Sequence, residues 1–272
     1  VVCDERALDA LWPAFGAGLA RWGAIASLHD PSSELSRLNT ARAERVRVSR
    51  ELAWLLQHAD EAYRASGGLV DAVRAAEAHA LPEAHPARRI GRLRNATWAS
   101  VELRDRVVHR PLGVLIDLGG VGKAAIADAL ALELAEIFAT PVLVNLGGDL
   151  RAVGSAPWSI LVTHDGSLRP DAPGRAVHID EGGIATSDRT SRRYPSGIDH
   201  IIGASALPGH PRRATVVAAT AAQANAESLA IVAAGGRWHE TWEKSRLPAL
   251  VITNDGTRHA LGGWPSDEGV GW

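Results

Sequence analysis

Apolar residues recur with a helical period over residues 4–25, where Leu8, Leu11, Trp12, Phe15, Leu19 and Trp22 share one stripe. A second amphipathic helix is predicted over 51–66 through Leu52, Leu55, Leu56, Ala59 and Ala62, with Ser49 as its cap. Between them, the Asp30-Pro31-Ser32-Ser33 turn caps a short helix carrying Leu35 and Leu38. Residues 71–94 are alanine-rich and then interrupted by Pro82 and Pro86, which reads as helix followed by exposed loop. The period then changes from helical to two. Residues 98–108 alternate like a β-hairpin, and 158–162, 175–179 and 215–217 read as strands. Residues 219–234 form a nearly uncharged helix, and 250–253 with 257–261 close the chain as a hairpin around Asn254-Asp255-Gly256. Residues 189–197, dense in charge and turn formers, read as a mobile loop. No repeat and no long linker interrupts this order, so a mixed α+β fold in one domain, 1–272, is expected.

Two glycine turns bring chemistry into the pattern: Asp117-Leu118-Gly119-Gly120-Val121-Gly122-Lys123 and Asn145-Leu146-Gly147-Gly148-Asp149. Each follows a short apolar run that reads as a buried strand, Val114-Leu115-Ile116 and Val142-Leu143-Val144, and a helix is predicted between them over 124–138. A glycine turn at a helix N-terminus lets backbone N–H groups approach a phosphate, because no Cβ holds the ligand away. Neither the Walker pattern nor G-x-G-x-x-G is present, so the turns are not a standard nucleotide fingerprint. Lys123 is one of only two lysines, the other being Lys244. It reads either as a phosphate-facing cation or as a surface helix-start residue, and Asp117 as a ligand contact or a simple turn former.

Composition narrows the setting. At 272 residues with net charge −2, the chain gives no electrostatic reason to expect nucleic acid. No apolar run has membrane-spanning length, and the expected location is cytoplasmic, with an exported or trimmed form left open. The single cysteine, Cys3, rules out an internal disulfide and a cysteine-built zinc site, and reads as a strand residue. Nine tryptophans dominate the aromatic residues, and Trp158, Trp238 and Trp264 are expected in the core.

Seven segments in order carry a family resemblance. They are Ser32 to Asn39, Gly67-Gly68-Leu69-Val70-Asp71, the two glycine turns, Gly183-Ile184-Ala185-Thr186-Ser187, and His200-Ile201-Ile202 followed by the helix opening Ala219-Thr220-Ala221-Ala222. Together they resemble the FAD:protein FMN transferase family, often called ApbE. The resemblance implies a mixed α/β flavin-transferase fold of two intimately associated lobes. It also implies transfer of FMN from FAD to a Ser or Thr hydroxyl of a partner protein, with release of AMP and with Mg2+. By the same resemblance, Asp71, Asp117, Gly119, Gly120, Lys123, Gly147, Gly148, Asp149, Thr186, Ser187 and Ile201 would contact FAD. His200 would assist deprotonation of the acceptor, and the Gly120 carbonyl and Asn225 would face the metal. Asp199 stands where the family has a histidine, and reads either as orienting His200 or as contributing to a metal.

The chain departs from the family where the metal is expected. The family's late helix carries Asp and, four residues on, Thr; here these positions are Asn225 and Leu229. The Asp-Pro after His-Ile-Ile is here Gly203-Ala204. Three readings therefore stand: an FMN transferase with an adjusted metal site, a flavin- or nucleotide-binding relative without this reaction, or an enzyme of the same fold with a different transfer reaction.

Overall fold

Serine caps set the first helices. Helix α1 spans Glu5–Ala26, α2 Glu34–Thr40 and α3 Arg50–Ala65. The Ser33 and Ser49 hydroxyls accept from Ser36 N and Leu52 N at 3.0 Å, and the Glu34 carboxylate takes the Ser49 amide and hydroxyl at 2.6 Å, tying α2 to α3. The computed structural model describes residues 1–3, 5–74, 95–167, 169, 171–191 and 199–265. Most of the segment expected over 71–94 and of the loop expected over 189–197 lies outside them.

Strands β1 (Arg45–Arg47), β2 (Glu102–Arg104) and β3 (Val107–His109) form a small antiparallel sheet in the order β1-β3-β2. The hairpin expected over 98–108 is confined to the β2–β3 pair, because Trp98–Ser100 form a 3-10 turn instead, and β1 is an addition to it. Helix α4 follows at Gly122–Phe138, starting two residues before the expected position because Gly122 and Lys123 already belong to its first turn.

The remaining strands are β4 (Val142–Leu146), β5 (Asp149–Val153), β6 (Trp158–Thr163), β7 (Gly174–Ile179), β8 (Gly182–Asp188), β9 (Pro211–Ala218), β10 (Ala249–Thr253) and β11 (Arg258–Leu261). Six of them build one antiparallel sheet, β11-β10-β9-β8-β5-β4, while β6 and β7 pair separately. Period-two alternation sorts the side chains of the large sheet between its faces. Leu143, Leu150, Ile184, Leu250 and Ile252 pack toward Val162 and Val177 of β6–β7. Val216, Ala249 and Val251 point the other way, onto Ile231, Val232 and Trp238 of helices α5 (Ala221–Ala233) and α6 (Trp238–Ser245). A third cluster joins α1–α3 to α4, with Leu11, Leu35, Leu52, Leu130 and Leu134 at its centre. Helical and sheet lobes thus meet along α4. Trp238 and Trp264 are buried as expected, and Trp158 packs at the edge of the β6–β7 cluster.

Two strand expectations fail. Val114-Leu115-Ile116 is buried but belongs to no sheet. Its backbone is satisfied from elsewhere: Asn39 donates Nδ2 to Ile116 O at 2.8 Å and accepts from Ile116 N at 2.9 Å, mimicking a strand neighbour. The buried Arg110 guanidinium donates to carbonyl oxygens on both sides, to Val114 O at 3.0 Å and Leu38 O at 2.5 Å. Cys3 likewise lies outside a strand, just after Val2, whose single bridge reaches Leu143.

Candidate active site

The two glycine turns face each other across a cleft of about 1130 Å³, counting the space open to solvent. One wall is the N-terminus of α4. Asp117 receives its position from Ala72, whose carbonyl accepts the Asp117 amide at 2.8 Å, and the Asp117 carboxylate accepts Gly119 N at 2.7 Å. The bend this creates exposes Gly119 and Gly120 to the cleft, and Lys123 folds back to donate to Gly119 O at 2.8 Å.

The opposite wall is the β4–β5 hairpin. Gly147 and Gly148 both have positive φ, 69° and 99°, which a two-residue turn of this twist requires. The turn delivers Asp149, buried at its start, to 3.9 Å from the Lys123 ammonium. The cleft is completed by Asp71, by Thr186 to Asp188 at the end of β8, by His200 to Ile202, and by Asn225 and Leu229 of α5. Thus Asp71, Asp117, Gly119, Gly120, Lys123, Gly147, Asp149, Thr186, Ser187, His200, Ile201 and Asn225 come together on one cavity. Gly148 and Asp199 stand just behind it. Gly148 shapes the turn, and the Asp199 carboxylate accepts from Arg189 Nη1 at 3.1 and 3.3 Å.

Helix α5 is aimed at the cleft by α4. Both oxygens of Asp128 cap its N-terminus, accepting from Ala221 N at 2.8 Å and Ala222 N at 2.9 Å, beside the Thr220 hydroxyl on Gln223 N. Burial pushes the Asp128 carboxyl above the usual range, against these amides and the nearby Arg151 guanidinium. Ser187 and Ser228 share a hydroxyl hydrogen bond of 2.9 Å and pin the same helix to β8. Thr186 and Thr215 do the same between β8 and β9.

With α5 in place, Asn225 donates Nδ2 to Asp149 Oδ1 at 3.2 Å. Its carbonyl oxygen is buried without a hydrogen-bond partner among the described residues. An orphaned acceptor of this kind suits a cation or a ligand donor. One helical turn on, the methyl groups of Leu229 pack beside Gly120, where a Cβ on the glycine would meet Leu229 Cδ2 at 3.4 Å. Among the described residues no group of three His, Cys, Asp or Glu is arranged to hold a metal.

Two cleft residues escaped the sequence reading. Asp188 lines the cavity and is held by Arg213 Nε at 2.6 Å, by Thr190 N at 2.7 Å and by the Thr190 hydroxyl at 2.6 Å. Burial alone would raise its carboxyl, but Thr190 and Arg213 hold it below the usual carboxylate range. Arg74 lines the same wall as Asp71. Neither sits in a motif that spacing could single out.

A family model for the ApbE family matches residues 4–251. No curated protein sequence matches the chain. Among solved structures, the chain is similar to the ApbE protein of Thermotoga maritima, at 21% identity over 93% of this chain and 89% of that one, with a TM-score of 0.75. It is similar to the flavin transferase ApbE of Vibrio cholerae, at 19% identity, 93% and 88% coverage and a TM-score of 0.69. The apo flavinyl transferase ApbE of Pseudomonas stutzeri matches at 18% identity, 93% and 85% coverage and a TM-score of 0.71.

Proposed function

The chain belongs to the ApbE family, and on that footing we propose that it transfers FMN from FAD to a Ser or Thr hydroxyl of another protein, releasing AMP. The observation that carries this reading is the meeting of both glycine turns, Lys123 and His200 on one cleft. The walls divide the work. The turn at Gly119 and Gly120 approaches the pyrophosphate closely, and Lys123 offsets its charge. Thr186, Ser187 and Ile201 line the space for the flavin. The acceptor oxygen forms a bond to the phosphorus on the FMN side, the bond from that phosphorus to the bridging oxygen breaks, and AMP leaves with the oxygen. His200 takes the hydroxyl proton and passes it to solvent. Magnesium would be held by the Gly120 carbonyl, Asn225 Oδ1 and nucleotide oxygens, and supplies positive charge against the pyrophosphate. Incubation with FAD, magnesium and a Ser/Thr acceptor peptide is expected to release AMP and leave a covalently flavinylated peptide. FAD binding with no transfer to any acceptor favours the binding-only reading, which the neutral Asn225 and Leu229 support.

Two measurements test the parts. Lys123→Ala is expected to weaken FAD binding by about 1–3 kcal/mol, the range for a lost charged hydrogen bond. Unchanged affinity by fluorescence titration removes Lys123 from the phosphate site. Magnesium is expected to bind the ligand-free protein only weakly, with Kd above about 1 mM, because Asn225 brings no charge. Calorimetry checks this, and Asn225→Asp is expected to tighten binding; a tight wild-type site overturns the account.

A further inference from the structure

We propose that Arg74 grips the pyrophosphate of the bound dinucleotide, an inference that rests on the FAD reading above. The wall of the cleft contains four aspartates, which at first sight makes it a poor place for an anion. Each is already engaged. Asp71 accepts from Val73 N at 2.8 Å, Arg74 N at 3.1 Å and Trp98 N at 3.2 Å. Asp117 accepts from Gly119, Asp149 from Asn225, and Asp188 from Arg213 and Thr190.

Most cations around the cleft are engaged too. Arg213 serves Asp188, Arg189 serves Asp199, and Arg151 lies within 3.6 Å of Asp128 and Glu181; Lys123, already assigned to the pyrophosphate, rests between Gly119 O and Asp149 and exchanges these contacts for the ligand. Arg74 differs. It is an exposed residue on the cleft, and its side chain has no hydrogen bond or ion pair among the described residues. Its backbone, by contrast, is fixed by the Asp71 carboxylate, so the guanidinium starts from a defined place on the wall. A planar guanidinium whose donors are uncommitted to the described residues can bind a pyrophosphate through two parallel hydrogen bonds. Positive charge is needed in this cleft because Asn225 and Leu229 offer a neutral amide and a leucine. Arg74 therefore supplies fixed positive charge that the protein's own metal ligands do not recruit.

Titrations of the full chain with FAD and with riboflavin, each in EDTA and in excess magnesium, test this. Riboflavin carries the isoalloxazine ring without phosphate. Arg74→Ala is expected to weaken FAD roughly 10- to 100-fold in EDTA, to leave riboflavin unchanged, and to lose less in magnesium. Arg74→Lys is expected to recover part of the loss, since it restores the charge but not the fork. Equal FAD affinity in wild type and Arg74→Ala overturns the inference while the FAD reading stands. Parallel loss of riboflavin overturns it in favour of a structural role. A wild-type protein that binds no FAD removes both.

Discussion

Replacing His200 by alanine is expected to slow flavin transfer by roughly 10²–10⁴-fold, the range for loss of a general base, while FAD affinity stays nearly constant. The separation of rate from binding follows from the placement of His200. It borders the cleft on a segment anchored by Ile201, which is buried among Val216, Ile231 and Trp238. Under the proposed role, removing the imidazole takes away the base while Ile201 keeps its place in the wall. Asp199→Ala should cost much less, because the Asp199 carboxylate is already held by Arg189. Single-turnover transfer to an acceptor peptide, alongside FAD titration, reads both quantities. Transfer that persists in His200→Ala assigns the proton step elsewhere.

Asp188→Asn is expected to destabilise the protein by about 3–5 kcal/mol, because it strands the buried Arg213 guanidinium without its counter-charge. Arg213 also donates to Thr163 O at 3.0 Å, so the pair ties the β6–β7 ribbon to the large sheet beneath it. Urea midpoints at neutral pH measure the loss, and equal midpoints contradict the prediction. Removing both charges with an added Arg213→Met is expected to restore part of the stability. The wild type should also show an acid limb. The folded Asp188 titrates below its unfolded value, so its contribution is complete above about pH 4, the unfolded carboxyl value, and is lost as pH falls through the lower folded value. Asp188→Asn should flatten that limb.

Legibility in the sequence followed the range of the interaction. Caps were readable because Ser33 and Ser49 act on amides three residues away. Both glycine turns and Lys123 were readable for the same reason, since their geometry is local. Val114-Leu115-Ile116 was misread because an apolar run of this length specifies burial but not its partner. That partner is Asn39, distant in sequence and not itself in a strand. Asp188 and Arg74 escaped for a related reason. A charged residue beside a motif reads as surface until folding shows what it faces. The order of the six-stranded sheet was equally hidden, because placing β8 between β5 and β9 depends on pairings that no local pattern encodes. The resemblance to the family bridged most of these distances for the fold.

The amide bracket of Asn39 on Ile116 has a consequence for how this cleft can diverge. One wall hangs from side chains of the helical lobe, whereas the other is stitched by strand pairing between β4 and β5. Asn39 and Arg110 act on the first wall through the backbone of residues 114–116, whereas the second wall rests on backbone pairing. The cleft's calibre is therefore heritable at positions that never meet a ligand, and relatives with identical lining residues can still differ in the size of molecule they admit.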